Sequence, residues 1–128
     1  MLAKHLQTDQ GIVNADLQAL QDALRAFAQE REWEQFHSPK NLATALSVEA
    51  AELLEHFQWM TDEQSRTLTQ EKRNDIAEEV ADVFLYLVQL SDKLGIDVIE
   101  AAQRKLEINA AKYPVDLARG SSKKYSEF

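Results

Sequence analysis

The sequence predicts an all-α protein built as a bundle of four long helices. Only three glycines and two prolines occur in 128 residues, and they fall where an apolar pattern breaks. Between the breaks, apolar residues recur every three or four positions, which is the spacing of one helix face. The strict alternation of a half-buried strand does not occur in these segments. Packed helices are therefore the expected architecture.

The first two predicted helices meet at Pro39. Residues 15–34 form the first, with Asn14 as its N-cap, and residues 39–59 form the second. Ser38 directly precedes Pro39, an order that favours a helix start. The serine oxygen can accept a free backbone N–H, and proline at the first helical position lacks an N–H that would need a partner.

The next two helices are predicted over residues 71–94 and 98–113. Gly95 ends the first of them, Asp97 is a suitable N-cap for the second, and Pro114 stops it. We thus expect a flexible N-terminal segment over residues 1–13, one helical domain over residues 14–114 and an extended C-terminal tail over residues 115–128. Residues 60–70 form a polar connector inside the helical domain.

The composition excludes several classes of function. The chain has no cysteine, which removes disulfide scaffolds, Cys-ligated zinc and thiol nucleophiles. A net charge of −8 argues against a nucleic-acid polymer as partner. No apolar run approaches the roughly 18–20 residues of a membrane span, and the first residues turn polar too early for a secretory signal. We therefore expect a cytoplasmic protein without a membrane partner.

Acidic residues interrupt the apolar face of two predicted helices. At about 100° per residue, Glu49 and Glu52 share the apolar face of the second helix, and Glu79 and Asp82 that of the third. Buried carboxylates are costly and facing pairs repel each other, unless a divalent cation lies between them. All-oxygen ligation favours Mg²⁺, with Mn²⁺ as a substitute. The alternative is a narrower apolar stripe, with the acids in solvent or paired with lysine.

Two other metal sites fit the sequence less well. A ferritin-like di-iron site needs Glu-x-x-His on two helices, and the third predicted helix has no histidine. A zinc hydrolase needs two or three histidines at one site, and the chain has only His5, His37 and His56.

The acidic pairs also carry a family resemblance. Glu49-Ala-Ala-Glu52 followed by Glu79-Val-Ala-Asp82 resembles the ExxE…ExxD signature of the all-α, MazG-like nucleoside triphosphate pyrophosphohydrolases. The similarity extends over residues 17–128 and is to the dCTP pyrophosphatase branch, through residues 27–42, 47–59, 78–88 and 113–125. The resemblance implies hydrolysis between the α and β phosphates, with the four acids holding Mg²⁺.

The resemblance and the residue chemistry together suggest the nucleotide contacts. Lys105, Asn109 and Lys112 lie along one helix line, and the family uses the first two positions for the triphosphate. His37 resembles a base-pocket histidine and Trp59 an aromatic wall. The remaining candidates are Trp33, as a further aromatic contact to the ligand, and Tyr86, which shares the acidic face and could disfavour a ribose 2′-hydroxyl.

The resemblance further implies self-association, with a homotetramer arranged as a dimer of dimers. Symmetric association would also cover apolar surface that a small helical subunit leaves exposed. The resemblance also implies nucleotide-pool housecleaning with a preference for dNTPs such as dCTP. Two alternatives stay open, namely a broad-specificity NTP and dNTP pyrophosphatase and a non-catalytic helical module that binds nucleotides or a partner.

Overall fold

The fold is all-α, as the sequence predicts. A computed structural model describes the backbone of residues 10–127 and the side chains of residues 15–127. Within that range there is no strand. The four long helices are α1 (Gln10–Glu30), α2 (Pro39–Glu55), α4 (Gln70–Lys93) and α5 (Val98–Lys112). The short elements are α3 (Asp62–Arg66), α6 (Val115–Ala118) and 3₁₀ turns at Glu34–Phe36 and Tyr125–Glu127.

The predicted helix starts are confirmed at two places. The Ser38 hydroxyl accepts the backbone N–H of Asn41, and Pro39 occupies the first position of α2. The Asp97 carboxylate accepts the N–H of Glu100 at the start of α5. Gly95, between α4 and α5, has a φ of 67°, a left-handed conformation that a residue without a Cβ adopts at low cost.

Three boundaries differ from the prediction by several residues. The first predicted helix was expected to end at Glu34, but α1 ends at Glu30, and Glu34 begins a separate 3₁₀ turn. Helix α1 begins at Gln10, so Asn14 lies inside the helix and is not its N-cap. Residues 1–9 of the predicted N-terminal segment lie outside the described residues. Helix α2 ends at Glu55, before the predicted Trp59, because the backbone turns more tightly after Glu55 and the regular helical hydrogen bonds stop. The N–H groups of Phe57 and Gln58 both donate to the Leu54 carbonyl, each at 2.9 Å.

The chain forms two compact units, divided after Gly95. In the first unit, α2 packs against α4, and α1 also contacts α4. The most buried apolar side chains come from these three helices, namely Ala28, Leu42 and Val88. Many large apolar side chains nevertheless remain exposed on the first unit, so its core is small. Among residues 10–127, no helix is long and apolar enough to cross a membrane.

The second unit contains α5, α6 and the C-terminal residues. The Tyr113 and Tyr125 rings meet edge to face with centroids 6.2 Å apart. The Lys112 ammonium lies 4.6 Å from the centroid of the Tyr125 ring. The segment predicted as an extended tail therefore contains a short helix and a 3₁₀ turn, and an aromatic contact connects it to the end of α5.

Candidate functional site

Three carboxylates from two helices meet in the first unit. Glu49 lies on α2, while Glu79 and Asp82 lie on α4, and one oxygen of each approaches the others within 4.8 Å. The i, i+3 spacing places Glu79 and Asp82 on one face of α4, and the packing of α2 against α4 brings Glu49 to that face. We call these three residues the acidic cluster.

The Glu49 carboxyl shows the electrostatic cost of this arrangement. Partial burial raises its pKa to about 7, with further contributions from a hydrogen bond to Glu79 and from the negative charges of Glu52, Glu79 and Asp82. A cation held among the carboxylates would remove this repulsion.

Glu79 provides a separate test of whether a metal ion fits. Its Oε2 is buried and has no hydrogen-bond partner among the described residues. A buried carboxylate oxygen without a partner is rare and costly. The donor set consists only of carboxylates, which are hard oxygen ligands suited to Mg²⁺ or Mn²⁺. The residues of the acidic cluster thus fit a divalent cation.

Glu52, the fourth predicted acid, lies beside the acidic cluster. It is half-buried, and its charge acts on Glu49, which precedes it by about one helical turn on α2. Its oxygens are outside the group that meets within 4.8 Å. The structure thus groups three of the four predicted ligands, and the metal-binding role of all four stays a prediction.

A pocket opens next to the acidic cluster, between α1 and α4. Its volume is about 380 Å³, within the usual range for small-molecule sites. Asp82 belongs both to the acidic cluster and to the pocket wall. The predicted site residues Trp33, His37 and Tyr86 also line it, together with Leu20, Ala23, Leu24, Phe27, Leu85 and Gln89.

A helix C-terminal motif places Trp33 at this pocket. Glu32 follows α1 in the left-handed region, with a φ of 55°. The N–H of Trp33 donates to the Ala28 carbonyl at 2.9 Å, and the N–H of Glu32 donates to the Gln29 carbonyl at 3.0 Å. These two bonds form a Schellman motif. Its usual apolar contact is present as well, since the Trp33 and Phe27 rings meet edge to face at 5.7 Å.

His37 extends the aromatic wall. Its ring lies edge to face with Trp33, with centroids 6.3 Å apart. The side-chain amide of Asn41 donates to the Phe36 carbonyl at 2.8 Å, which holds the segment before α2. The pocket therefore offers an apolar and aromatic wall beside a carboxylate, an arrangement suited to a ligand with a flat ring and a charged end.

The other predicted nucleotide contacts are not among the residues that line this pocket. Trp59 is 88% exposed and is not among the pocket residues. Lys105, Asn109 and Lys112 lie on α5 in the second unit, where Lys105 is exposed and Asn109 is half-buried. Lys112 makes the contact with Tyr125 given above.

Two contacts in the first unit were not predicted. Gln89 lines the pocket. It lies seven residues after Asp82 on α4, and this spacing, which puts both residues on one helix face, could have indicated it from the sequence. His56 is half-buried, and its Nδ1 lies 3.0 Å from the Lys72 ammonium. This contact joins the end of α2 to the start of α4.

Comparisons with known proteins identify the family to which this chain is similar. The sequence model of the MazG-like family matches residues 44–128. The chain is 46% identical to human dCTP pyrophosphatase 1 and 43% identical to the bovine protein, over 103 residues that cover 79% of this chain. It spans about 61% of the length of these curated relatives.

A solved structure shows the same fold. A crystal structure of a pyrophosphatase from Archaeoglobus fulgidus superposes with a TM-score of 0.73 and 43% sequence identity, covering 77% of this chain and 93% of that one. The residues that the family model matches include both acidic pairs, all of α4 and the part of α2 that carries Glu49 and Glu52. The chain belongs to the MazG-like family.

Proposed function

We propose that this protein is a metal-dependent nucleotide pyrophosphohydrolase that converts dNTPs, with dCTP preferred, to the monophosphate and pyrophosphate. The observation that carries this proposal is the position of Asp82, which joins the acidic cluster to the aromatic pocket. A triphosphate at the acids would place its nucleoside within reach of the aromatic wall. The similarity to dCTP pyrophosphatases supports the choice of substrate.

Glu49, Glu52, Glu79 and Asp82 would hold Mg²⁺, or Mn²⁺ in its place. When bound, the ion neutralises phosphate charge and lowers the pKa of a nearby water. The water oxygen forms a bond to a phosphorus of the α–β anhydride, the P–O bond to the leaving group breaks, and a carboxylate takes the proton. We assign the proton to Glu52 or Glu49. No protein nucleophile takes part.

The aromatic residues would bind the nucleoside. We place the base against Trp33 and His37, and the sugar beside Tyr86, where a packed phenol ring would disfavour a 2′-hydroxyl. Trp59 is proposed as a further aromatic contact to the base, and Lys105, Asn109 and Lys112 as triphosphate contacts. The last four assignments rest on the sequence resemblance alone.

The same protein is proposed to act as a homotetramer, a dimer of dimers, in the cytoplasm. Exposed apolar side chains on α4 support self-association, since Val80, Phe84 and Leu87 form a stripe that is 37–49% exposed. On a helix these three positions lie opposite Asp82 and Gln89, so the stripe lies on the far side of α4 from the pocket. A partner on the stripe would leave the pocket open.

Pyrophosphate release from the four dNTPs and four NTPs, each with Mg²⁺, tests the proposed activity. We expect release from dNTPs, highest with dCTP, and its loss in Glu52→Gln. Equal turnover of dNTPs and NTPs would indicate the broad-specificity alternative. No release from any nucleotide by folded protein with Mg²⁺ would contradict the proposal and favour the non-catalytic module.

A further inference from the structure

Gln89 is a polar pocket residue to which the proposed function assigns no role. Its side-chain Oε1 is buried and has no hydrogen-bond partner among the described residues. Buried carbonyl oxygens are almost always paired, because an unpaired one loses its water without compensation. This acceptor therefore needs a hydrogen-bond donor from outside the described protein atoms.

The position of Gln89 along α4 indicates which part of a ligand it would meet. Asp82 and Gln89 both line the pocket, and their i, i+7 spacing puts them on one helix line about 10 Å apart. Tyr86 lines the pocket between them. Helix α4 thus presents a carboxylate, a phenol and an amide in order along one wall of the pocket.

A nucleotide presents its phosphate, sugar and base in a matching order. With its phosphates at the acidic cluster and its sugar near Tyr86, its base reaches Gln89. We propose that Gln89 determines base specificity, with its Oε1 accepting a hydrogen bond from an exocyclic amino group of the base. This inference rests on the proposed function, because that function fixes which end of the ligand lies at the acids.

The amide favours one kind of base edge. A cytosine edge offers an amino donor beside a ring nitrogen acceptor, and a glutamine amide carries an acceptor and a donor side by side. A uracil edge has the reverse order, a keto acceptor beside a ring N–H donor, so it would pair only with the Gln89 amide turned over, with Nε2 in the place of Oε1. The two bases are otherwise alike in ring, sugar attachment and size, so their comparison isolates this contact.

A second cavity next to Gln89 offers an alternative explanation for its unpaired oxygen. Gln89 also lines a small space of about 20 Å³ between α1 and α4, together with Gln21, Arg25 and Asp92. Such a space holds about one water. A donor there would make Gln89 a structural residue without influence on the base. Gln21 lines this space but not the ligand pocket, so it provides a matched control.

The experiment compares unmodified protein with Gln89→Met, Gln89→Glu and Gln21→Met. The first readout is kcat/KM for dCTP against dUTP with Mg²⁺. The second is calorimetric binding of dCMP and dUMP without metal, which needs no turnover. We expect the preference for the cytosine nucleotide to fall about tenfold in Gln89→Met, the size of one buried hydrogen bond. Gln89→Glu, which sets an acceptor against both groups of the cytosine edge, should also lower the preference, whereas Gln21→Met should retain it.

The outcomes separate this inference from the proposed function. Protein that releases no pyrophosphate from either triphosphate contradicts the proposed function, and the dCMP and dUMP binding ratio then decides on Gln89 alone. Equal binding of dCMP and dUMP by the unmodified protein overturns the inference. So does a preference that survives in Gln89→Met, or one that Gln21→Met reduces equally.

Discussion

Arg25 on α1 and Asp92 on α4 form a two-point ion pair between helices. Arg25 Nε donates to Asp92 Oδ2 at 2.7 Å, and a terminal guanidinium nitrogen donates to Oδ1 at 2.5 Å. The Asp92 side chain is only 16% exposed. Parallel hydrogen bonds from a guanidinium to one carboxylate are the strongest form of this contact. This pair holds α1 against α4 at the end of the aromatic pocket where Gln89 lies.

Replacing Arg25 with alanine is expected to lower the midpoint of thermal unfolding by a few degrees, measured by circular dichroism. The loss is expected because Asp92 would keep a poorly hydrated charge without its partner. Arg66→Ala is the matched control. Arg66 pairs with Glu63 within α3, both side chains are more than two-thirds exposed, and such local pairs contribute little.

The same pair predicts a pH dependence. The hydrogen bond from Arg25, together with its charge, holds the pKa of Asp92 below its ordinary value of 3.8. The unfolded chain therefore binds more protons than the folded chain in the acidic range, and the contribution is lost as pH falls through the lowered pKa. We expect the stability difference between the unmodified protein and Arg25→Ala to be constant above pH 5 and to shrink below about pH 4. A difference that grows on acidification would contradict this assignment.

Glu32→Gly is expected to stabilise the protein by about 0.5–1 kcal/mol, because a left-handed φ strains a residue with a Cβ. Chemical denaturation measures the change. Glu30→Gly, within the last turn of α1, should instead destabilise by a similar amount. Pyrophosphate release should be unaffected by Glu32→Gly, since the Schellman bonds that place Trp33 are backbone bonds. A loss of stability in Glu32→Gly would show that the side chain has a further role.

The raised pKa of Glu49 predicts that metal binding and stability respond to pH in opposite directions. Between the ordinary glutamate value of 4.5 and about 7, the folded metal-free protein binds more protons than the unfolded chain. Its stability should therefore fall as pH rises through that range. Affinity for Mg²⁺ should rise over the same range, because the ion competes with the proton. Calorimetric titrations with Mg²⁺ at pH 6 and pH 8 measure the change in affinity.

Glu49→Gln should remove both responses and make the metal-free protein more stable than the unmodified one at pH 8. Glu55→Gln is the control on the same helix, since Glu55 is exposed. A pH response that persists in Glu49→Gln would place the titrating group elsewhere.

Much of this arrangement was predictable from local sequence chemistry. The spacing of apolar residues predicted the four long helices, because one face of each is buried whatever its neighbours are. The i, i+3 acids on two apolar faces predicted that carboxylates would meet, and Glu49, Glu79 and Asp82 do meet. Ser38 and Asp97 identified two helix starts because a cap is a contact within one turn.

Features that depend on distant neighbours were not predictable in this way. Apolar periodicity continued beyond Glu55, but tightened backbone hydrogen bonds end α2 there. Trp59 is a large aromatic residue that the sequence suggests is covered by a ligand or the core. It is largely exposed, because the exposure of a side chain depends on which elements surround it. The place of Gln89 in the pocket depends on how α1 and α4 pack together, and glutamine on a helix is ordinarily a surface residue, so the sequence alone does not indicate it.

Glu79→Gln is expected to reduce kcat/KM for dCTP by about 100-fold or more, since it removes a charged oxygen donor from the acidic cluster that we propose to hold the metal ion. Its neighbour Glu78→Gln is the matched control and should stay within about twofold. Glu78 is exposed and lies about 100° away around α4. Steady-state pyrophosphate release measures both variants. Equal losses in the two would indicate a general effect of charge, contrary to a role for Glu79 as a ligand.

Phe84→Glu tests whether the apolar stripe on α4 is an interface between subunits. Phe84 is 45% exposed and lies between Val80 and Leu87, so a charge there would oppose burial against another copy. We expect the unmodified protein to sediment as a tetramer and Phe84→Glu as a smaller species with unchanged helix content. Glu78→Lys, a charge change off the stripe, should retain the tetramer. If Phe84→Glu sediments with the mass of the unmodified assembly, the stripe lies outside the subunit contacts. If the unmodified protein sediments as a monomer, self-association itself is contradicted.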